Sequence, residues 1–234
     1  MSFRNRIKYL LVHKAGLSNK EAQTCIKRGD VHVNNQPVYA NQIFTAYDQV
    51  DFRQHALWPQ KQYVYACWYK PVGAECTFKT DNADAIIHYL PNELKDLFYV
   101  GRLDKASEGL LLLTNDGNIH DKLLAPQNKV TKVYEVSTEP PIADEDLQRL
   151  QGGVVILGKQ TLPCNTQRID KNKWQIELTQ GMNRQIRRMC HKLGYKVTQL
   201  KRISFANLHL QNLKPGEWRW STREDVMDKE SKLS

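Results

Sequence analysis

The chain has 234 residues, 41% of them hydrophobic and 25% charged, and its 34 Lys plus Arg against 25 Asp plus Glu leave a net charge of +9. Such a length can bury a proper core as one large domain or as two, and the positive excess favours a polyanionic partner. The longest uncharged apolar run, GLLLLTN, is too short for a membrane-spanning helix, and five scattered cysteines without Cys-x-x-Cys or Cys/His spacing argue against both a disulfide framework and a zinc site.

The amino-terminal stretch MSFRNRIKYLLVHKAG is basic, but its apolar part is only YLLV and no small-residue cleavage site follows, so no signal peptide is expected and the cytoplasm is the expected compartment. Residues 4 to 13 read as a helix. LSNKEAQTCIKRGD reads as a second, with Ser18 and Glu21 in capping-box spacing and Gly29 just past its end. VHVNNQPVYA has a hairpin pattern, with Val31, Val33 and Val38 around an Asn34-Asn35 turn. Residues 1 to 52 are therefore expected to be one compact domain. It carries Arg4, Arg6, Lys8, Lys14, Lys20, Lys27 and Arg28 on or beside its helices, a face that could meet phosphates or simply be solvated.

RQHALWPQKQ, 53 to 62, lacks periodicity and contains Pro59, which predicts a linker. A second domain is expected over 63 to 225. YVYACWY reads as a strand stopping at KPVG, ADAIIHYL as a short helix, LLLLT as a buried strand ending in the turn NDG, and NIHDKLLA as another helix. KVYEVST, GVVIL, WQIELT and KVTQLKRISFANLHL then read as strands, interrupted by the helix-like ADEDLQRL and NRQIRRMCHKL. Runs of strands with few helices predict an α+β domain around a mostly antiparallel or mixed sheet flanked by helices. The polar end, 226 to 234, is expected to fray.

Two stretches carry the chemistry. From Gly181 to Arg202 there are seven basic residues and no acidic one. At helical spacing Arg184, Arg187, Arg188, His191 and Lys192 share one face, opposite Ile186, Met189, Cys190 and Leu193. Arginines where lysines would serve suit carboxylates and phosphates, which guanidinium meets with paired hydrogen bonds. The other stretch is GRLDKASEGLLLLTNDG, 101 to 117, in which Arg102 and Asp104 stand at the threshold of four leucines. A charge is expensive to bury without a partner, so Asp104 needs a reason. By residue type alone that reason is more often a structural ion pair than a catalytic role. No Gly-rich phosphate loop, His-Glu-x-x-His or Gly-x-Ser-x-Gly motif is present, so neither a cofactor nor a catalytic metal is expected.

GRLDKASEGLLLLTNDG, with KPVG at 70 to 73, KVYEV at 132 to 136 and GMNRQIRRMCHKLGYKVTQLKR at 181 to 202, resembles the RsuA branch of the pseudouridine synthases. GVVILGKQTLPC and QGMNRQIRRMC are similar to the RluF type, which modifies large-subunit ribosomal RNA. The first domain resembles the ribosomal S-four type (alpha-L) RNA-binding module through Ser18, Ala22, Ile26, Gly29, VHVNN and Val38. The resemblance implies a catalytic Asp104, an active-site Tyr134, an Arg187 that pairs with the aspartate, and an Arg102 that holds RNA while the target nucleotide leaves the stack. Arg184, Arg188 and Tyr134 would offset extrusion of the base through phosphate contacts and stacking. An aspartate beside arginine stays ionised at neutral pH, as a nucleophile or base must. The implied activity is isomerisation of uridine to pseudouridine in large-subunit ribosomal RNA, without cofactor; a monomer is the default expectation, which no residue pattern carries. Transfer RNA as substrate, or a non-catalytic RNA-binding factor in ribosome assembly, are the alternatives.

Overall fold

A cluster of leucines, Leu110 to Leu113, is completely shielded from solvent, and each such side chain contributes about 1.5–3 kcal/mol by leaving water. The strand that carries them organises the larger part of the chain. The structure is a computed structural model that describes residues 5–45, 48–58 and 62–227. Its contacts divide the chain into two units, Met1–Tyr63 and Val64–Ser234.

The first unit runs α1 (Ile7–Lys14), α2 (Asn19–Arg28), β1 (Val31–Val33), β2 (Gln36–Val38), β3 (Val50–Phe52) and β4 (His55–Trp58). Ser18 and Glu21 form the expected capping box, and Gly29 closes α2 in the left-handed conformation. Asn34 and Asn35 both take positive φ, which makes the tight turn between β1 and β2. The helices pack Ile7, Leu10, Leu11, Ala22 and Ile26 on a sheet of order β2-β1-β3-β4. Residues 53 to 58 are therefore not linker. Arg53 and Gln54 adopt φ of 50° and 66°, turn the chain back on itself, and β4 pairs antiparallel with β3. The turn was hidden because an Arg-Gln pair is an uncommon filling for it. Pro59, Arg4 and residues 228–234 of the expected tail lie outside the described residues.

The second unit contains β5 (Tyr65–Lys70), β6 (Phe98–Val100), β7 (Glu108–Thr114), α3 (Gly117–Leu124), β8 (Lys132–Glu139), α4 (Asp144–Gln151), β9 (Val155–Ile156), β10 (Lys159–Gln160), β11 (Asn165–Arg168), β12 (Lys173–Leu178), α5 (Gln185–Lys192), β13 (Lys196–Phe205), β14 (Leu208–His209), β15 (Trp218–Ser221) and α6 (Arg223–Val226). Its mixed sheet has the order β11-β12-β8-β13-β7-β5-β15, with β14 on β13 and β6 on β7. Among the described pairs of these strands only β13 and β7 run parallel. This is an α+β architecture.

Three local expectations change. ADAIIHYL forms only a short 3-10 turn, Ile86–His88, because Ala85 and Ile86 are drawn into strand-like pairing with Glu75. GVVIL contributes just Val155–Ile156, folded onto β10 as a separate hairpin. Residues 226 and 227 belong to the folded part and not to the tail: Thr222 and Asp225 box the start of α6, and Val226 is buried. Among the described residues no helix is long and apolar enough to cross a membrane.

Where the parallel ladder begins, Gly109 lies opposite Arg202. It has φ +106°, and a Cβ there would sit 2.3 Å from the carbonyl oxygen of Arg202. Replacing Gly109 by alanine is expected to destabilise the protein by at least about 2 kcal/mol, from strain and from separation of β7 and β13. Gly158→Ala, at φ +73° but with open space around it, should cost about 1–2 kcal/mol. Urea unfolding midpoints of the two variants check the order.

Candidate active site

The residues between β6 and β7 form a loop that ends inside the sheet. Leu103 and Ser107 are buried, Arg102, Lys105 and Ala106 are exposed, and the side chain of Asp104 is 32% exposed. The loop closes on itself through Ser107 N, which donates to Asp104 O at 3.0 Å.

Three cationic side chains, each from a different segment, hold this loop by its carbonyl oxygens. Lys70, at the end of the wholly buried β5, donates to Ser107 O at 2.7 Å and Pro71 O at 2.8 Å. Arg187 of α5 donates through Nη2 to Ala106 O at 2.8 Å and Ser107 Oγ at 3.4 Å, and through Nη1 to Val197 O at 3.1 Å. Arg202 of β13 donates through Nε to Leu110 O at 2.8 Å and through Nη1 to Arg102 O at 3.4 Å. Its guanidinium also lies 5.0 Å from the ring centroid of Phe205. A fourth backbone contact, Gly73 N to Lys105 O at 2.8 Å, ties the KPVG turn to the loop. Hydrogen bonds from charged donors to carbonyls are stronger than neutral ones, and buried they leave the loop little freedom.

Burial shifts these groups. Lys70 falls from 10.5 to about 8 because it is desolvated, with the charge of Arg202 adding to the change and those of Asp104 and Glu108 opposing it. Arg187 is lowered by burial and then by the neighbouring charge of Arg184, with Asp104 opposing.

The structure redistributes the roles expected of the arginines. Arg184, not Arg187, lies within ion-pair range of Asp104, with Nη1 3.9 Å from Oδ2. Arg187 is close enough to feel the charge of Asp104, but its hydrogen bonds go to backbone. Arg184 is not on the helical face assigned to it: it is the residue before α5, in the left-handed conformation at φ 50°, and its side chain is 47% exposed. Arg188 is half-buried and donates to Asn183 O and Oδ1 at 3.1 and 3.2 Å. Ile186, Met189 and Cys190 dock α5 into the core as their spacing implies. Tyr134, half-buried in β8, pairs with Ile176 on one side and Arg202 on the other. It therefore shares a sheet position with the arginine that holds Arg102 O.

The seven basic residues from 181 to 202 are not one surface. Arg202 is almost completely buried, and Lys201 lies 3.6 Å from Glu135. Lys70 and Arg202 are the site residues to which sequence reasoning gave no role. Arg202 had a signal: it keeps the alternating parity of the buried Leu200 and Ser204 in β13. Lys70 closes a strand of six buried residues.

The arrangement is a carboxyl group open on one side, fixed on a rigid loop, beside one exposed guanidinium. Such a group can attack, or take a proton from, something delivered from solvent. Comparison with known proteins gives this geometry a family. Residues 64–192 match the family described as RNA pseudouridylate synthase. The chain is 36% identical over 213 residues to the dual-specificity RNA pseudouridine synthase RluF of Salmonella typhi, covering 90% of this chain and 73% of that protein. It is 31% identical over 229 residues to the ribosomal large subunit pseudouridine synthase B of Bacillus subtilis, covering 94% and 93%. A solved structure of a pseudouridylate synthase superposes with a TM-score of 0.65 at 25% identity, covering 94% of this chain and 97% of that one. The chain belongs to the RNA pseudouridine synthases, and within them it is similar to the RluF type.

A pH experiment tests the clamp under the loop. Because the folded protein releases the Lys70 proton near 8 and the unfolded chain near 10.5, the unfolded state binds more protons between these values. The Lys70 contribution to unfolding free energy therefore rises with pH through that window. The stability of wild type minus that of Lys70→Met should be larger at pH 9.5 than at pH 7.5, measured by urea unfolding. An unchanged difference would mean that the lysine is not desolvated.

Proposed function

We propose that this chain isomerises a specific uridine of large-subunit ribosomal RNA, with Asp104 as the catalytic residue. In this reaction the bond from N1 of uracil to the ribose breaks, the base turns, and ring carbon five joins the ribose. The proton from carbon five passes to solvent while N1 gains one. Nothing is oxidised or hydrolysed. The observation that carries the reading is Asp104 itself: an acid at the mouth of a cationic site, held by a loop whose backbone is tied down at four carbonyls. A binder of polyanions has no use for an acid there.

A uridine within a folded RNA must leave its stack to reach that carboxyl, at an expense of a few kcal/mol. Arg102 and Arg184, both exposed, are suited to the phosphates on either side, and Arg188 to a more distant one. Tyr134 is suited to the face of the extruded base. Arg187 acts on the loop that carries Asp104. The first unit, with Lys8, Lys14, Lys20, Lys27 and Arg28, adds phosphate contacts, and its boundary falls after residue 63. The protein works as a monomer in the cytoplasm.

Asp104→Asn should reduce tritium release from carbon five of labelled uridine in ribosomal RNA by about a thousandfold or more, while RNA affinity stays within a few-fold. Equal release by both proteins would remove Asp104 from the chemistry. Transfer RNA assayed in parallel separates the two substrate classes, and no release by wild type from either would favour a binding factor.

Deleting residues 1–63 should weaken RNA binding and flatten the slope of log affinity against log salt, with a smaller effect on the chemical step in single turnover. A truncated protein with full affinity at every ionic strength would assign the first unit a different role.

A further inference from the structure

Near the loop of Asp104 stand two exposed apolar side chains that the proposed chemistry does not use. Val72, in the turn of KPVG, is 57% exposed, and Tyr89 is 38% exposed. Isolated exposed apolar residues are ordinary. These two are joined to the site by two connections. Gly73 N donates to Lys105 O, one residue from Asp104, and the Tyr89 hydroxyl lies 3.7 Å from where a Cβ on Gly73 would stand.

The tyrosine is firmly based. Its N–H donates to Ile86 O at 2.9 Å, and the flanking Ile86 and Leu90 are buried. Among the described residues no other ring lies against it. Lys105 is occupied by Asp84 at 2.5 Å and also feels the charge of Glu75, so this edge of the site has no cation to spare, whereas Arg102 and Arg184 are the exposed cations of the loop and of the entrance to α5. Aromatic and apolar surface at an edge of a cationic site that offers no free cation suits the face of a base more than its phosphate.

We propose that Tyr89 and Val72 form a platform on which the nucleobase next to the target uridine stacks once the uridine has entered the site. The inference rests on the reading of Asp104 as the catalytic residue of an RNA isomerase. A uridine inside a chain cannot reach Asp104 without bringing its neighbours to the rim, and the turn bonded to the Asp104 loop is where one of them arrives. The platform contributes to choice of substrate, because purines stack over more area than pyrimidines.

The test is a cycle between protein and RNA. A short RNA spanning the mapped uridine is made intact, and abasic at the 5′ or the 3′ neighbour. Wild type, Tyr89→Ala, Tyr89→Phe and Val72→Ser are compared by kcat/KM for tritium release and by fluorescence anisotropy. Tyr89→Ala should lose roughly 5- to 150-fold on intact RNA, Val72→Ser less, and Tyr89→Phe little. The loss should vanish on one of the two abasic RNAs. Equal losses on all three RNAs, no loss at all, or a Phe variant as impaired as the Ala variant would overturn the platform. So would a loss seen only on ribosomal particles and not on naked RNA, which would mean a protein partner. If wild type released no tritium, the reading of Asp104 would fail, and the anisotropy arm would still decide the platform: wild-type preference for intact over abasic RNA, absent in Tyr89→Ala, supports it, and equal binding rejects it. Matching unfolding midpoints exclude loss of fold.

Discussion

The geometry of the site depends on one kind of interaction, a cationic side chain donating to the backbone carbonyls of residues 102 to 107. Lys70, Arg187 and Arg202 come from β5, α5 and β13, which are far apart in the chain, and each places a charge against a peptide oxygen of the same short loop. An interior cation would ordinarily destabilise the fold. Here the desolvation is offset in part by the carbonyls and by the acids around Lys70, and the result is a loop whose shape is set from three directions at once. The carboxyl of Asp104 inherits that rigidity without being enclosed.

This divides the cations into two sets. Those that grip the loop are buried or half-buried and bonded to backbone. Those that remain for a polyanion, Arg102 and Arg184 at the loop and at the start of α5, are exposed. Arg184 owes its place to its own left-handed conformation just ahead of α5, which takes it out of the helical stripe and puts it within ion-pair range of Asp104. Arg187, one turn later, is carried under the loop by the docking of Ile186, Met189 and Cys190. One short segment therefore supplies both the support of the acid and its visible partner.

The sheet is the reason such a loop can be built at all. β7 is flanked by β5, β6 and β13, so its first residues are gripped on both edges while Leu110 to Leu113 anchor it in the core. Gly109 lets β13 come close enough for Arg202 to reach back to Leu110 O. A side chain at 109 would separate the strands and remove one of the three grips.

Much of this was legible in the residues. The capping box at Ser18 and Glu21, the Asn34-Asn35 turn, the buried leucines and the amphipathic α5 follow from local rules of spacing and φ preference, so they could be read without the fold. The motifs around Asp104 and Tyr134 were enough to assign the family. Local reading failed where pairing partners are distant: Arg53-Gln54 became a hairpin because β3 was available to β4, and the chain at Ala85 left a helix because Asp84 O and Ile86 N bond to the backbone of Glu75. It failed also in treating 181 to 202 as one basic patch, since charge counts carry no information on burial. Which arginine faces Asp104 was decided only in three dimensions, because a hydrogen bond between α5 and a loop 80 residues away has no local signature. The sequence by itself determined the family and those elements that local rules specify, and it singled out Asp104 as the candidate acid. The tertiary structure decided which cations support the acid and which stand open to a partner.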